Sequence, residues 1–505
     1  MLRIICLVPL ALLLTNQLCA QSNMNHETKD MQLFQTTREG DRLRQIDTDT
    51  LVREDVDRTL TLKPIETHQT LIGIGSSFTE SSAHALSELS TKERNRVLEA
   101  YFSPNGAHIS LTRTHIASCD FSLKNYTYAP VANDTELTHF SIEPDYNYLL
   151  PLIKDAQNIV GSQFHILASP WTAPPWMKDN NTWNGGELLK EHYQTFADYL
   201  VKYIQAYAAE DIPIWGITPV NEPFGNNSSW ESMHFFDAEK MRELVGDYLG
   251  PTLKKANLNV PIWIYDQNRE ELMLEYAKAI YEDKTAAQYV RGMAVHWYQS
   301  TIDVGGEILD EVHQKYPTFE ILHSEGCIDN IGNTEEIGSW LEDDWYWRTE
   351  ATDWGYTWAE NKANHPKYRP FFRYTRDLIG GLNHHFTGWI DWNMVLNTRG
   401  GPNHVNNFCL APVLVDSGKD QAYLTPLYYS IAHCSKFIRP GATRIGLEGH
   451  DETEFMATAF KNPDDSIAVI VFNLTEEEIS YSISLGDAQE TLSITAGALQ
   501  TILIP

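Results

Sequence analysis

Basic residues are scarce in this chain: 38 lysines and arginines stand against 68 aspartates and glutamates, a net charge of −30 over 505 residues. That deficit argues against nucleic acid or an anionic membrane surface as partner, since both demand clustered cations. Cysteine is nearly absent as well. Beyond residues 1–20 only Cys119, Cys327, Cys409 and Cys434 remain, too widely spaced for a disulfide framework and without a Cys-x-x-Cys pair for zinc. His68, His108, His115, His296, His384 and His385 are scattered with no His-Glu-x-x-His or comparable spacing, so no catalytic metal and no cofactor is expected. Long apolar runs are missing except in residues 1–20, which carry one basic residue and end in Ala20. This run is too short to cross a bilayer and reads as a cleaved secretory signal, which predicts a secreted or periplasmic protein. A lipid anchor at Cys19 fits less well, because Asn16-Gln17-Leu18 is a poor lead-in to a modified cysteine.

What the chain does have is apolar bulk and tryptophan: 42% hydrophobic residues and 14 tryptophans. It is long enough for one large and one small domain. Residues 21–50 are polar and aperiodic and read as a loose leader. Eight apolar, β-branched or aromatic runs follow, most of them trailed by helical patterning: Leu71–Gly75, His108–Arg113, Phe164–Ala168, Ile214–Val220, Val260–Tyr265, Gly292–Tyr298, Phe319–Ser324 and His385–Trp392. Strand alternating with helix predicts a parallel sheet, and eight repeats predict an α/β fold closed as a (β/α)8 barrel, here over residues 71–430. Short alternating runs over 431–505 predict an attached antiparallel β-sandwich, to which residues 51–70, through Thr59–Lys63, contribute a strand.

Two glutamates close apolar runs: Glu222 in Asn221-Glu222-Pro223 and Glu325 in His323-Ser324-Glu325. Taken singly, Glu222 can also be read as a surface glutamate beside a turn proline. Together they suit a retaining glycosidase, in which one carboxylic acid protonates the leaving oxygen and a second, about 5 Å away, attacks the anomeric carbon. Glu222 is the expected acid/base and Glu325 the expected nucleophile, ionised beside donors and a cation. Arg113 and Tyr298, at the ends of their own runs, are candidates for that support, and His296 for a hydrogen bond close to Tyr298. Asn221 is placed to bond the sugar 2-hydroxyl, and Asp120 the hydroxyls farthest from the reacting carbon. Trp171 and Trp176 after the third run, and Trp389 and Trp392 at the eighth, offer faces on which a pyranose can stack. Trp340, Trp345, Trp347, Trp354 and Trp358, between the seventh and eighth runs, are expected to wall the entrance with further stacking surfaces.

At these residues the sequence resembles glycoside hydrolase family 30, the glucosylceramidase family. The resemblance rests on Gly73-Ile-Gly75-Ser-Ser-Phe-Thr79, Ala117-Ser-Cys-Asp-Phe-Ser122, Leu167-Ala-Ser-Pro-Trp-Thr172, Asn221-Glu-Pro223, Ala294-Val-His-Trp-Tyr298, Ser324-Glu-Gly-Cys327, Gly388-Trp-Ile-Asp-Trp-Asn393 and Gly400-Gly-Pro-Asn403. It implies a barrel with a β-sandwich, retention of configuration, Glu222 as acid/base, Glu325 as nucleophile, and Asp120, Trp171, Asn221, Tyr298, Trp392 and Asn407 around a glucose. Two departures stand out: residues 21–118 lack the cysteine-rich segment of the animal enzymes, and the Trp-rich stretch is longer, as in bacterial members that cleave β-1,6-glucan. The substrate implied is a β-glucoside, with either ceramide or a second glucose as acceptor. A protein that binds sugar without cleaving it would lose one of the two carboxylates, and an inverting enzyme would hold them roughly 6.5–9.5 Å apart.

Overall fold

The computed structural model describes residues 31–47, 56–225, 227–329, 339–348 and 369–505. Eight parallel strands close into a barrel: β1 (Gly73–Phe78), β2 (Leu111–Ile116), β3 (His165–Pro170), β4 (Gly216–Ile217), β5 (Ile262–Asn268), β6 (Val290–His296), β7 (Glu320–Glu325) and β8 (Phe386–Asp391). They pair in chain order, and β8 returns to β1 with Gly388 opposite Gly73. Covered on both faces, such strands read as continuous apolar runs rather than as alternation. The strand ends are all offset from their runs, and two of the offsets have visible local reasons. His108 takes a φ of 52°, which breaks the extended backbone before β2 begins. Pro213 and Pro219 flank β4 and cannot donate to a ladder, which shortens it to two residues. Leu111, Leu167, Trp263, Ala294, Leu322 and Ile390 fill the barrel's interior. Gly388 keeps that interior closed, since a Cβ there would stand 2.7 Å from the methyls of Leu111 and Leu322.

Helices cover the outside. The longest, Tyr193–Ala209, turns Phe196, Leu200, Tyr203, Ile204 and Tyr207 inward, a stripe of helical spacing. Among the described residues no helix is long and apolar enough to cross a membrane.

The second domain is a nine-stranded sheet in the order Ala488–Ile494, Ile479–Leu485, Arg58–Thr70, Thr443–Glu448, Phe455–Lys461, Ile467–Asn473, Leu499–Ile504, Gln32–Thr36, Arg44–Ile46. It folds over a core of its own that takes residues from both ends of this order, Leu33 and Ile494 among them. All pairings are antiparallel except that of Ile479–Leu485 with Arg58–Thr70. Residues 32–36 and 44–46 therefore correct the expectation of a loose leader over 21–50. Their order comes from pairing with Leu499–Ile504, more than 450 positions away, and from the full burial of Leu33. Residues 1–30, with the expected signal, lie outside the described residues. The expected boundary at 430 falls inside the helix Pro426–Ser435, whose His433 joins Thr36 (2.9 Å) to Thr501 (2.7 Å) across the two domains.

The Trp-rich stretch also departs from expectation. Trp340, Trp345 and Trp347 are 5%, 2% and 3% exposed, too little to serve as stacking platforms. The Trp340 indole N–H donates to the Thr398 carbonyl at 3.0 Å, and that of Trp347 to Gly497 of the second domain at 2.9 Å. Trp347 also stacks on Phe371 with ring centroids 4.5 Å apart. Trp347 thus fastens one domain to the other. Trp354 and Trp358 lie outside the described residues. Trp347→Ala is expected to lower the unfolding free energy by about 3–5 kcal/mol, read by urea titration, with KM unchanged for any saccharide. A raised KM at unaltered stability would return this residue to the substrate's path.

Candidate active site

At the C-terminal end of the barrel strands the guanidinium of Arg113, fully buried on β2, organises everything around it. Nη1 donates to Glu325 Oε2, Nη2 to Asn221 Oδ1 and Asp266 Oδ2 at 2.7 Å each, and Nε to Ser169 Oγ at 3.1 Å. Asp266 is itself enclosed: Oδ2 also accepts from Thr218 (2.7 Å) and Ser169 (3.1 Å), Oδ1 from Ser324 (2.6 Å) and His296 Nε2 (3.0 Å). Burial opposes its charge, yet Arg113, His296 and Ser324 hold its carboxyl far below the usual carboxylate range. Backbone irregularity aims these groups. Tyr265 and Asp266 have φ of 77° and 51°, and the β5–β6 register shifts between Tyr265 and Gln267. A second shift, in β6–β7 between His323 and Glu325, lets neighbouring Ser324 and Glu325 both reach the same cluster.

Glu222 follows β4 with a φ of 48°, its N–H fixed to the Asp266 carbonyl at 2.9 Å. One carboxylate oxygen each from Glu222 and Glu325 and one ring nitrogen of His296 lie within 4.8 Å of one another. His296 Nδ1 is 3.4 Å from Glu222 Oε1 and 4.0 Å from Glu325 Oε1, and Tyr298 donates to that same Glu325 oxygen at 3.1 Å. Burial disfavours the imidazolium, but Glu325, Asp266 and Glu222 raise His296 to about 9. Burial pushes the Glu325 carboxyl upward, and Glu222 and Asp266 push the same way, against the pull of His296 and Arg113. This trio has the spacing of metal ligands, but Arg113 already occupies Glu325 Oε2, and the imidazole, held through Nε2 by Asp266 and raised to about 9, turns Nδ1 to the carboxylates as a cation. Two carboxyl groups at this separation fall on the retaining side of glycosidase geometry, about 5–5.5 Å rather than 6.5–9.5 Å.

A match to the model of the glycosyl hydrolase family 30 TIM-barrel domain covers residues 71–346 and 341–438, and one to the family 30 β-sandwich domain covers 441–502. The chain belongs to glycoside hydrolase family 30. Lysosomal acid glucosylceramidase of Mus musculus is 34% identical over 84% of this chain and 79% of its own length. Endo-1,6-beta-D-glucanase of Neurospora crassa is 26% identical over 80% and 78%. Among solved structures, SrfJ from salmonella typhimurium superposes with a TM-score of 0.81 at 27% identity, over 94% of this chain and 99% of that one. An endo-beta1,6-glucanase superposes with a TM-score of 0.77 at 29% identity, over the same shares. This family 30 chain is a glycoside hydrolase.

Its cavity, about 510 Å³, is lined by both glutamates together with Asp120, Trp171, Tyr298, Trp392 and Asn407. Asp120 accepts from Asn407 Nδ2 at 2.9 Å, while its other oxygen is buried without a partner. Burial, against the Asn407 bond, pushes Asp120 up to about 8. Trp171 and Trp392 stack on each other at 4.8 Å and share Arg113, 4.9 and 5.7 Å from their ring centroids. Each is 2% exposed, so they form an apolar wall rather than open platforms. The other two expected tryptophans are elsewhere: Trp176 donates to the Ala129 carbonyl and Trp389 to Asp377, each at 2.9 Å. Sequence reasoning missed Asp266, Ser169, Thr218 and Ser324. Asp266 carried the signal that revealed Glu325, an acid late in an apolar strand.

The charge of Glu325 and the hydrogen bond to Asp266 are expected together to set the protonation of His296. By NMR the imidazole should titrate near 9, against about 6.5 in the unfolded chain, so its contribution to stability is whole below about 6.5 and is lost as pH rises through 9. Asp266→Asn should move that titration downward. An unmoved titration would show that another charge holds the proton.

Proposed function

We propose that this hydrolase cleaves β-glucosides with retention, Glu325 acting as nucleophile and Glu222 as acid/base. The observation that carries this reading is the approach of the two carboxylates to within 4.8 Å around His296. Glu325 attacks the anomeric carbon as the bond to the leaving oxygen breaks, and Glu222 gives that oxygen its proton. Arg113 and the Tyr298 hydroxyl fix the attacking carboxylate. Once esterified, Glu325 no longer turns an anionic charge toward Glu222, which then takes a proton from the water that attacks the same carbon. The sugar leaves and the carboxylate is restored. Asp120, with one oxygen unpartnered, and Asn407 suit the glucose hydroxyls, and Asn221, whose amide oxygen is committed to Arg113, keeps its NH2 for the 2-hydroxyl.

For the leaving group we favour a second sugar over a ceramide. The cavity is also lined by Gln267, Glu270 and Gln299, with Phe224 and Trp230. Gln267 Oε1 and Gln299 Nε2 are buried without hydrogen-bond partners. An apolar acceptor would leave each unpaired at a cost of about 1–3 kcal/mol, whereas sugar hydroxyls would satisfy them. The endo-1,6-beta-glucanase names among the relatives agree with a β-1,6-glucan. We further propose that residues 1–20 direct export, which puts the enzyme where such polymers are met.

Glu325→Gln is expected to abolish turnover of every glucoside. Glu222→Gln should lower kcat/KM on a saccharide by about 10²–10⁴ yet spare attack on a dinitrophenyl glucoside, whose leaving group needs no proton. Equal loss on both substrates, or NMR of the first product showing inversion, would reject the roles. Linear β-1,6-glucan should be cleaved faster than glucosylceramide in a side-by-side assay, and the reverse order would reject the saccharide acceptor.

A further inference from the structure

Three loops rising from different strands meet at a buried carboxylate that the chemistry above does not use. Glu231, in the loop after β4, is fully buried. Its Oε1 accepts from Asn125 Nδ2 at 2.7 Å and lies 3.3 Å from His404 Nε2. His404 Nδ1 meets the Ser122 carbonyl at 2.9 Å. Asn125 and Ser122 belong to the loop after β2 that carries Asp120, and His404 to the segment after β8 that carries Asn407. Asn403 stiffens that segment: Oδ1 accepts from the N–H groups of Val405 (3.2 Å) and Asn407 (3.0 Å), and Nδ2 donates to the Asn407 carbonyl at 2.8 Å. On either side of Glu231, Trp230 lines the cavity and the Ser232 carbonyl takes the buried Lys178 Nζ at 2.9 Å.

We propose that Glu231 and His404 are positioning residues, an ion-paired clamp that holds Asp120 and Asn407 in register for the sugar hydroxyls. A carboxylate fully out of water costs several kcal/mol unless it is well paired, so an apolar contact would have joined these loops more cheaply. What the charge adds is direction. It draws Asn125 from one loop and His404 from another toward a single point, and the Asp120–Asn407 contact bridges the same two loops. Burial disfavours both charged forms, yet pairing keeps His404 above its ordinary value and Glu231 below its own. The titratable groups facing the pair are Asp120, Cys119, His115 and Lys178. With His404 raised by its pairing, the clamp loosens as pH rises through the His404 titration.

This inference rests on the assignment of Asp120 and Asn407 to the glucose. The test is the inhibition constant of gluconolactam, a neutral glucose-shaped competitor, measured across pH for the full-length enzyme and for Glu231→Gln, His404→Asn and Asp120→Ala. Both clamp variants are expected to weaken it by about tenfold, equivalent to about 1.4 kcal/mol, and His404→Asn to remove the His404 step from the pH profile, leaving the titrations of Asp120 and His296. A merely structural role would lower Tm and leave the constant and its pH profile untouched, and that outcome overturns the clamp. If Asp120→Ala loses affinity while the clamp variants keep it, the clamp is wrong and the sugar assignment survives. If Asp120→Ala keeps its affinity, the assignment falls and the clamp with it. Should Glu231→Gln fail to fold, His404→Asn alone decides.

Discussion

The Arg113 guanidinium is fully buried, and everything at the top of the barrel follows from that. An unpaired buried cation would cost several kcal/mol, so it must be met by anions and by oriented dipoles. Asp266 and Glu325 supply the anions, Asn221 and Ser169 the dipoles. Each of these groups is thereby fixed in place. The cation that cannot be left alone orients Glu325, holds the residue next to Glu222, and backs the Trp171–Trp392 wall.

Asp266 extends that order by one step. It joins Arg113 to His296, so two cations and two anions sit in a nearly dry cluster with their charges balanced. The imidazolium faces both Glu222 and Glu325 from within 4.0 Å. A charge placed there acts on both carboxylates at once, and in a low-dielectric surrounding its effect is larger than the same contact would have in water. The cluster is held by the protein's own groups, which is the condition for electrostatic preorganisation.

The barrel was legible in the sequence because buried parallel strands are continuous apolar runs, and the two glutamates were legible because an acid ending such a run has no structural reason to be there. Asp266 shared that position and went unnoticed, because the bulge at Tyr265–Gln267 that aims it is invisible in composition. Tryptophan misled for a related reason. Composition gives the ring but not its neighbours, and Trp340, Trp345 and Trp347 spend their faces on protein. Residues 32–36 looked loose because a short polar strand owes its order to its partner, and the partner is at the other end of the chain. Glu231 and His404 were hidden for the same reason: what unites them is the convergence of three loops.

How these residues are carried separates two levels of constraint. Arg113, Asp266, His296 and Glu325 stand on barrel strands, Arg113 and His296 paired on both sides, Glu325 on one, and Asp266 held in the bulge between paired Tyr265 and Gln267. Phe224, Trp230 and Gln299 stand on loops. Strand-borne groups cannot move without disturbing the ladder, whereas loops tolerate change in length and side chain. The attack on the anomeric carbon therefore belongs to the rigid part of the molecule, and the choice of leaving group to the variable part. The unpartnered Gln267 Oε1 and Gln299 Nε2 sit at the seam, one at the end of β5 and one in the loop after β6, and in the proposed reading they give the variable part its demand for hydroxyls. A change of acceptor would then require new loop residues that either satisfy or remove those two amides, while the charge cluster beneath stays as it is.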